Sequence, residues 1–232
     1  MKEKQKLVVF SGAGMSAESG INTFRDSNGL WEKYSIEEVA TPEAWNRNAD
    51  LVTSFYNQRR KQILQTSYND AHRVIAELED QFEVIVVTQN IDDLHEKAGS
   101  SNVIHLHGNI TLAKSSGPNS EKKYYPINGW ELSKNDLCDD GHRLRPHVVW
   151  FGEAVPMLTE AQNIIECADY FIVVGTSLQV YPAAGLIHFS NNAQKKIIID
   201  PNANTMDVPN DYIKINLPAT QGIDQVRTLL SK

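Results

Sequence analysis

A glycine-rich segment follows the first apolar run of this 232-residue chain and could hold a phosphate group. It reads Ser-Gly-Ala-Gly-Met-Ser-Ala-Glu-Ser-Gly over residues 11–20. Glycine lets the backbone turn tightly and approach a ligand closely, and the N–H groups at a helix N-terminus favour an anion. The spacing differs from the usual G-x-G-x-x-G fingerprint, so a simple tight turn between a strand and a helix explains this segment equally well.

Two further segments carry residue types suited to acid–base chemistry. Residues 88–95 read Thr-Gln-Asn-Ile-Asp-Asp-Leu-His, and residues 105–108 read His-Leu-His-Gly. Histidine suits proton transfer near neutral pH because its unperturbed pKa is about 6.5. A structural role is also open, since Asn and Asp at strand ends often bond to nearby backbone and a lone histidine is commonly a core residue.

Short apolar runs precede these segments and predict the strands that position them. The runs are nearly continuous in apolar residues, which is typical of strands buried on both faces of a parallel sheet. They are Leu7–Phe10, Val84–Val87, Val103–Leu106, Phe171–Val174 and Ile197–Ile199. Helical patterns lie between them, over residues 70–78, 92–98, 159–168 and 182–189. The alternation predicts an α/β fold with a doubly wound parallel sheet.

Two regions interrupt the alternation. Residues 41–65 predict a helix, with Thr41 as its N-cap and Pro42 at its first position. Residues 110–145 are rich in Ser, Asn, Lys, Gly and Asp and predict a separate lobe or a long excursion.

Composition and charge exclude several classes of protein. The chain is 41% hydrophobic and 22% charged, as in ordinary globular proteins. Lys and Arg number 22 against 29 Asp and Glu, which gives a net charge of −7, so we expect no direct nucleic-acid binding. We find no secretory signal core and no apolar run long enough to span a membrane. We therefore expect a soluble, cytoplasmic protein without a membrane partner, and the oligomeric state is left open.

Taken together and in this order, the motifs resemble those of the sirtuin (Sir2) family of NAD-dependent protein deacylases. The resemblance also rests on Gly-Ile-Asn-Thr-Phe-Arg-Asp at 20–26, Arg-Pro-His-Val-Val-Trp-Phe-Gly-Glu at 145–153 and Gly-Thr-Ser-Leu at 175–178. It implies a Rossmann-like NAD-binding domain made of residues 1–33, 76–109 and 146–232. The two interruptions, taken as residues 34–75 and 110–145, would form a smaller lobe.

The resemblance also implies a reaction. In the family, the acyl oxygen of an acyl-lysine attacks the anomeric carbon of the nicotinamide ribose, and nicotinamide leaves. A histidine then takes a proton from the ribose hydroxyls, and the products are free lysine and an O-acyl-ADP-ribose. NAD is consumed as a co-substrate. By its position, His107 would be this general base, with Asn90 and Asp92 as the catalytic polar pair of the nicotinamide pocket.

Further matched positions are implied to contact NAD. Phe24 and Arg25 belong to the loop that covers it. Asp200 stands where many relatives carry Asn, although a carboxylate can also accept from ribose hydroxyls. The remaining positions lie after the strands and at the last helix: Gly12, Ala13, Gly14, Gln89, Ile91, Gly175, Thr176, Ser177 and Ala219.

Tyr56 and Arg59 are three residues apart on the predicted helix and share a face. Alone, the pair is explained by a solvated arginine beside a packing tyrosine. In one sirtuin subclass, the bacterial-type class III, a Tyr-x-x-Arg pair with a small residue upstream, here Ala40, lines the acyl pocket and accepts a carboxylate. The resemblance therefore implies a pocket for succinyl- and malonyl-lysine as well as acetyl-lysine.

The substrate-binding segment of the family matches Val149, Trp150, Phe151 and Gly152. An acyl-lysine peptide would add beside it as a strand, so that main-chain bonds give affinity with little side-chain specificity. A plain buried strand is the alternative explanation.

Most relatives carry two Cys-x-x-Cys pairs that hold a structural zinc in the second insertion. Here residues 111–145 contain only Cys138, and Cys167 lies elsewhere. Cys138 and the nearby His142 do not make a closed tetrahedral site, so we predict no zinc. We expect the lobe to be held by an apolar cluster instead: Tyr124, Tyr125, Ile127, Trp130 and Leu132.

We thus predict an NAD-dependent protein-lysine deacylase with desuccinylase, demalonylase and deacetylase activity. One alternative is ADP-ribosyl transfer or NAD hydrolysis on the same fold. Another is a catalytically silent NAD-sensing module. The presence of His107, Asn90 and Asp92 favours the deacylase.

Overall fold

A computed structural model describes residues 4–21 and 33–230 of the chain. These residues contain nine strands: β1 (Lys6–Ser11), β2 (Glu83–Thr88), β3 (Val103–His105), β4 (Gly108–Ser115), β5 (Tyr124–Pro126), β6 (Leu144–Val148), β7 (Tyr170–Val174), β8 (Lys195–Ile199) and β9 (Tyr212–Ile215). Six of them form one parallel sheet in the order β3-β2-β1-β7-β8-β9. The other three form an antiparallel sheet in the order β5-β4-β6.

The described helices cover both faces of the parallel sheet. They are α1 (Ala13–Ala17), α2 (Ile36–Val39), α3 (Pro42–Leu64), α4 (Asp70–Glu77), α5 (Leu94–Lys97), α6 (Leu158–Glu166) and α7 (Ala219–Leu230). Short 3-10 helices span Leu78–Asp80, Ala183–Phe189 and Ala203–Thr205. The predicted α/β class and doubly wound sheet are confirmed. None of the helices in the described part of the chain is long and apolar enough to cross a membrane.

Strand β1 lies at the centre of the parallel sheet and joins its two hydrophobic cores. Leu7 and Val9 enter the core formed with α4 and α7. The alternate residues Val8 and Phe10 enter the core formed with α6 and the 3-10 helix at 183–189. The strand order runs outward from β1 in both directions, through β2 and through β7. Such a switch point opens a crevice at the carboxyl ends of the strands, where ligands of this fold class bind.

The predicted helix over residues 41–65 forms as α3. The side chain of Thr41 accepts a hydrogen bond from the N–H of Ala44 at 3.0 Å, and Pro42 occupies the first turn. The helix is interrupted at Asn48, where φ is −155° and ψ is 79°. The side chain of Asn48 accepts from the N–H of Leu51 at 3.0 Å and so caps the longer second part.

The antiparallel sheet forms the small lobe, which has its own apolar cluster. Its members are Ala113, Leu132, Cys138 and Leu144, with Tyr125 and Ile127 packed against them. The expected cluster is thus only partly formed, because Tyr124 and Trp130 lie near the surface, 39% and 40% exposed. Tyr124 stacks on His147 with the ring centroids 4.0 Å apart, and the ammonium of Lys61 lies over the Trp130 ring.

Polar contacts join α3 to the part of the small lobe that contains the antiparallel sheet. The side chain of Asn57 pairs with both the N–H and the carbonyl of Leu132, each at 3.0 Å. The guanidinium of Arg60, fully buried, donates to the carbonyls of Ile110 at 2.6 Å and Trp130 at 2.9 Å. Residues 57 and 60 therefore clamp the lobe from the face of α3 that lies next to Tyr56 and Arg59.

Cys138 makes hydrogen bonds to protein groups in the small lobe. Its thiol is buried and donates to the hydroxyl of Ser115 at 3.4 Å, and its N–H donates to the carbonyl of His142. Within residues 4–21 and 33–230, no group of three or more His, Cys, Asp or Glu side chains is arranged to hold a metal ion.

Candidate active site at the carboxyl ends of the strands

The two glycine-containing loops after β1 and β7 pack directly against each other. The N–H of Gly12 donates to the carbonyl of Val174 at 3.1 Å, and that of Gly14 donates to the carbonyl of Gly175 at 2.8 Å. Gly175 has a φ of +61°, and a Cβ there would lie 2.2 Å from the main-chain nitrogen of Met15. Only glycine fits this approach, so the loops that contain the predicted NAD contacts form one continuous surface.

The side chain of Gln89 links the end of β2 to the loop after β7. Its amide nitrogen donates to the hydroxyl of Thr176 at 3.0 Å, and the same hydroxyl accepts from the N–H of Leu178 at 3.2 Å. Gln89 and Ser177 are partly exposed, while Thr176 is buried. The predicted residues Gln89, Thr176 and Ser177 are therefore gathered at the crevice.

Asn90 and Asp92 form a buried polar pair joined through Ser16. The Asn90 amide donates to the Ser16 hydroxyl at 3.1 Å. Burial raises the pKa of Asp92, and hydrogen bonds from the Leu94 N–H and the Ser16 hydroxyl partly offset this. Ile91, between them, is half-buried, and its carbonyl accepts from the N–H of Ile110. Ser16 lies in the glycine-rich motif, but its hydrogen bonds to Asn90 and Asp92 were not predicted from the sequence.

His107 follows β3, and one of its ring nitrogens faces a main-chain carbonyl. Its Nδ1 lies 3.0 Å from the carbonyl oxygen of Gln89. A carbonyl only accepts, so Nδ1 carries the proton and Nε2 presents a lone pair in the neutral ring. Burial lowers the pKa of His107, and the Gln89 carbonyl only partly opposes this. The ring is thus neutral at pH 7 and able to accept a proton at Nε2.

The segment after β6 lies against the turn between β3 and β4, which contains His107. The N–H of Val149 donates to the carbonyl of His107 at 2.9 Å. Gly108 has a φ of +82°, and a Cβ there would lie 2.2 Å from the carbonyl oxygen of His147. The predicted substrate segment is therefore in direct contact with the proposed base.

The main-chain N–H groups of this segment are already engaged inside the molecule. Phe151 donates to the carbonyl of Ala40 at 3.0 Å, and Trp150 donates to the carboxylate of Glu153 at 2.8 Å. Strand β6 ends at Val148, before the segment begins. Addition of a peptide strand beside this segment therefore stays a prediction.

Tyr56 and Trp150, both predicted to bind the acyl-lysine substrate, are joined by a buried hydrogen bond. The indole nitrogen of Trp150 donates to the Tyr56 hydroxyl at 3.1 Å, and both side chains are 2% exposed. Burial raises the pKa of Tyr56, so the phenol keeps its proton. Ala40 is buried in the same apolar cluster.

Arg59 is half-buried on α3, and its charge interacts with Tyr56 and with Asp92. Burial lowers the pKa of Arg59, while Asp92 and Tyr56 oppose that shift electrostatically. Arg59 also appears among the groups that affect Asp92. The structure thus brings Tyr56, Arg59 and Asp92 into one electrostatic neighbourhood.

A partly buried ion pair between Arg145 and Glu153 contacts Trp150. Arg145 makes two hydrogen bonds of 2.8 Å to the carboxylate of Glu153. The guanidinium also lies 3.5 Å from the centroid of the Trp150 ring. Both residues belong to the motif at 145–153, but the sequence alone assigned them no role.

Two of the implied NAD contacts, Asp200 and Ala219, follow β8 and β9, on the side of the sheet away from β3. Asp200 follows β8, and its N–H donates to the carbonyl of Ile215 at 3.2 Å. Ala219 is buried at the start of α7. The next residue, Thr220, donates through its N–H and its hydroxyl to the carboxylate of Glu18 after α1. Phe24 and Arg25 lie outside the described residues.

Comparison with known proteins identifies the family. The Sir2 family model matches residues 12–182. An NAD-dependent protein deacylase of Bacteroides thetaiotaomicron is 47% identical over 230 residues, covering 97% of this chain and 98% of the relative. An NAD-dependent protein deacylase of Helicobacter pylori strain 26695 is 46% identical over 224 residues, covering 96% of each.

Solved structures agree with this result. A Sir2 homologue in complex with NAD superposes with a TM-score of 0.84 at 38% identity, covering 99% of this chain and 91% of that one. A Sir2 variant with a deacetylated p53 peptide and 3′-O-acetyl ADP-ribose superposes with a TM-score of 0.78 at 32% identity, covering 98% and 94%. On the family match and these relatives together, this chain belongs to the Sir2 family.

Proposed function

We propose that this chain, an NAD-dependent protein deacylase, removes succinyl and malonyl groups as well as acetyl groups from lysine side chains. The observation that carries the proposal is the position of Arg59, half-buried on α3 and close enough to Tyr56 and Asp92 for their charges to affect its pKa. In the proposal, this guanidinium pairs with the acyl group of the substrate. An acetyl group offers no negative charge for such a pair, whereas a succinyl or malonyl group ends in a carboxylate.

The donor set suits a carboxylate. A guanidinium can pair with both oxygens of a carboxylate, and such charge-assisted bonds are stronger than neutral ones. The Tyr56 hydroxyl accepts from Trp150 and so has its own proton left to donate. Because burial penalises the Arg59 charge, a bound carboxylate would offset part of that cost.

The size of residue 40 supports the same substrates. Ala40 is 3% exposed and packs in one cluster with Tyr56 and Trp150. Its carbonyl accepts from Phe151, so the backbone on this side of the pocket is fixed. The small methyl side chain of Ala40 leaves space for a longer acyl group, which a larger side chain would occupy.

The residues of the crevice fit NAD. The Gly12–Gly14 turn packs against Gly175 at the N-terminus of α1, where main-chain N–H groups favour a pyrophosphate. Gln89 and Thr176 offer polar atoms for a ribose, and the Asn90–Asp92 pair offers an amide and a carboxylate for nicotinamide. When bound, NAD supplies the electrophilic ribose carbon that the acyl oxygen attacks.

His107 supplies the base in the proposed reaction. Its Nδ1–H bond to the Gln89 carbonyl fixes both the tautomer and the orientation of the ring. Nε2 then takes a proton from the ribose hydroxyls. Among the described residues, no side chain hydrogen-bonds to this nitrogen, so it is available to substrate. An intact base and a fitted acyl pocket favour deacylation over NAD hydrolysis, ADP-ribosyl transfer or a silent sensor.

The proposal includes the division of the chain inferred from the resemblance. Residues 34–75 and 110–145 form the small lobe without a zinc ion, and the remaining residues form the NAD-binding domain. The first segment carries the acyl-selecting residues of α3, and the clamp made by Asn57 and Arg60 joins it to the second segment. One zinc per chain in a metal analysis would contradict this part of the proposal.

The substitution Arg59→Met tests the acyl pocket. We expect kcat/KM for a succinyl-lysine peptide to fall by at least tenfold, since a charge-assisted hydrogen bond contributes about 1.5–3 kcal/mol. The value for the matched acetyl-lysine peptide should change by less than about threefold. The control is Gln58→Met, at the exposed neighbouring position on α3. Equal losses on both peptides would overturn the carboxylate pocket.

A further inference from the structure

His105 stands two residues before His107, and neither the motif nor the proposed reaction assigns it a role. Both of its ring nitrogens face an acceptor. Nδ1 lies 2.9 Å from the carbonyl oxygen of Asn90, and Nε2 lies 2.7 Å from Oε1 of Glu96. A carbonyl and a carboxylate only accept, so both nitrogens donate and the ring is an imidazolium cation.

The groups around His105 agree with a positive charge. Glu96 faces it from α5, and Asp92 lies in the loop before that helix. Burial by itself would lower the pKa of His105, but Glu96, the Asn90 carbonyl and Asp92 together raise it above the ordinary 6.5. The Asn109 amide nitrogen is 3.5 Å from Nε2, too far to compete with the carboxylate.

Two neutral histidines also face this charge. His95 lies on α5 and His147 on β6, and the charge of His105 helps to lower the pKa of each. In both cases burial is the larger cause. His105 is therefore the charged member of this group of histidines.

His105 and His107 differ in protonation because their partners differ. His107 has one carbonyl acceptor and a lowered pKa, whereas His105 has a carbonyl, a carboxylate and a raised pKa. Their acceptors are the consecutive carbonyls of Asn90 and Gln89, in the loop that follows β2. Two neighbouring histidines, one neutral and one protonated, are suited to different functions.

We propose that His105 is a positioning residue, a cation held by Glu96 that fixes the Asn90–Asp92 turn of the nicotinamide pocket. Its hydrogen bond holds the Asn90 carbonyl, and the Asn90 side chain is then presented to the crevice on a fixed backbone. Its charge offsets the tendency of buried Asp92 to take up a proton. This inference rests on the proposed function, since it assigns Asn90 and Asp92 to nicotinamide.

The charge of His105 can be measured without any substrate. NMR titration of the histidine C2 protons, with His105 assigned through the His105→Gln variant, should give a midpoint above 6.5. In the isosteric Glu96→Gln variant the midpoint should fall by about one unit. The control is Glu160→Gln, at an exposed position on α6. A His105 midpoint at or below 6.5, or one unaffected by Glu96→Gln, would overturn the proposal.

Its effect on the reaction can be measured through exchange of labelled nicotinamide into NAD with an acyl-lysine peptide. This readout reports nicotinamide release, which precedes the proton transfer to His107. Both His105→Gln and Glu96→Gln should lower the exchange rate at pH 7 by about tenfold. In the unaltered protein, the exchange rate should fall at alkaline pH as His105 loses its proton. This fall should begin at lower pH in Glu96→Gln and be absent in His105→Gln.

Two outcomes of the exchange assay are decisive. Unchanged pH profiles in both variants, or losses that merely follow a lowered Tm, would make His105 a structural residue and overturn the inference. If the unaltered protein shows no acyl-dependent exchange at all, the proposed function fails instead. The NMR titration would still judge the charge of His105 in that case, so the two failures are distinguishable.

Discussion

The indole N–H of Trp150 donates to the Tyr56 hydroxyl at 3.1 Å, and this bond joins the acyl pocket to the segment beside the base. Tyr56 lies on α3, and Trp150 follows β6, 94 residues later in the chain. The bond uses one lone pair of the hydroxyl and leaves its proton for a ligand. Trp150 in turn is held by Glu153 and Arg145, so the direction of a single hydroxyl depends on a partly buried ion pair.

Trp150→Phe should impair the acyl pocket selectively. The substitution keeps an aromatic ring but removes the N–H that orients the Tyr56 hydroxyl. We expect kcat/KM for succinyl-lysine to fall about fivefold relative to acetyl-lysine, the size of one neutral hydrogen bond. The measurement is steady-state kinetics on two peptides that differ only in the acyl group. Trp130→Phe, near the lobe surface, is the control, and an unchanged ratio would contradict the account.

Asn57→Ala should destabilise the protein. Its side chain makes two bonds to the backbone of Leu132, and both partners would be left buried without them. We expect the free energy of unfolding, measured in urea, to fall by about 2–4 kcal/mol. The exposed neighbour Gln58→Ala should change it by less than about 0.5 kcal/mol. A similar small effect for both variants would mean that Asn57 does not hold the lobe.

Mild acid should destabilise the fold through its buried histidines. His72 and His95 are almost fully buried, with ring centroids 4.8 Å apart, and burial lowers the pKa of His72 to about 4. The unfolded chain takes up this proton near pH 6.5 and the folded chain only near pH 4, so stability falls as pH drops through that interval.

For His72 alone, this linkage lowers the free energy of unfolding by about 2 kcal/mol between pH 7.5 and pH 5. Urea unfolding at the two pH values provides the measurement. His72→Gln should lose this share of the pH dependence, whereas His188→Gln, at an exposed position, should keep it. Equal stability of the unaltered protein at both pH values would rule out the predicted linkage.

Gly175→Ala should damage the NAD crevice. The new Cβ would lie 2.2 Å from the nitrogen of Met15, in a backbone region that alanine rarely adopts. The two glycine loops must then separate, and we expect the Kd for NAD, measured by calorimetry, to rise by at least about tenfold. In the control Gly185→Ala, the nearest atom to the new Cβ is 3.9 Å away. NAD binding that is unaffected by Gly175→Ala would contradict the assigned crevice.

The central sheet was predictable because buried parallel strands are nearly continuous apolar runs. All five predicted runs are strands. The edge strand β9 was missed because its pattern is mixed, with Lys214 half-buried between isoleucines. The lobe strand β4 was missed because buried Lys114 and Ser115 make it look like a loop. Polar residues are tolerated there since Glu121 pairs with Lys114.

The candidate site was predictable where residues follow one another in a motif. Gln89, Asn90 and His107 were named through the resemblance of their segments to the family motifs, and the structure gathers them at one edge of the sheet. Partners that are distant in the chain could not be named in this way. Asn57 meets Leu132, 75 residues away, and Asn90 meets Ser16, 74 residues away. Such pairings follow from how the lobe and the loops dock, which no local pattern contains.

The most direct test of the central claim is mass spectrometry of the products formed from NAD and two matched peptides, one with acetyl-lysine and one with succinyl-lysine. The account predicts free lysine peptide from both, with O-acetyl-ADP-ribose from the first and O-succinyl-ADP-ribose from the second. Products from the acetyl peptide alone would contradict the carboxylate pocket at Tyr56 and Arg59. NAD binding with no deacylated product from either peptide would contradict the deacylase itself.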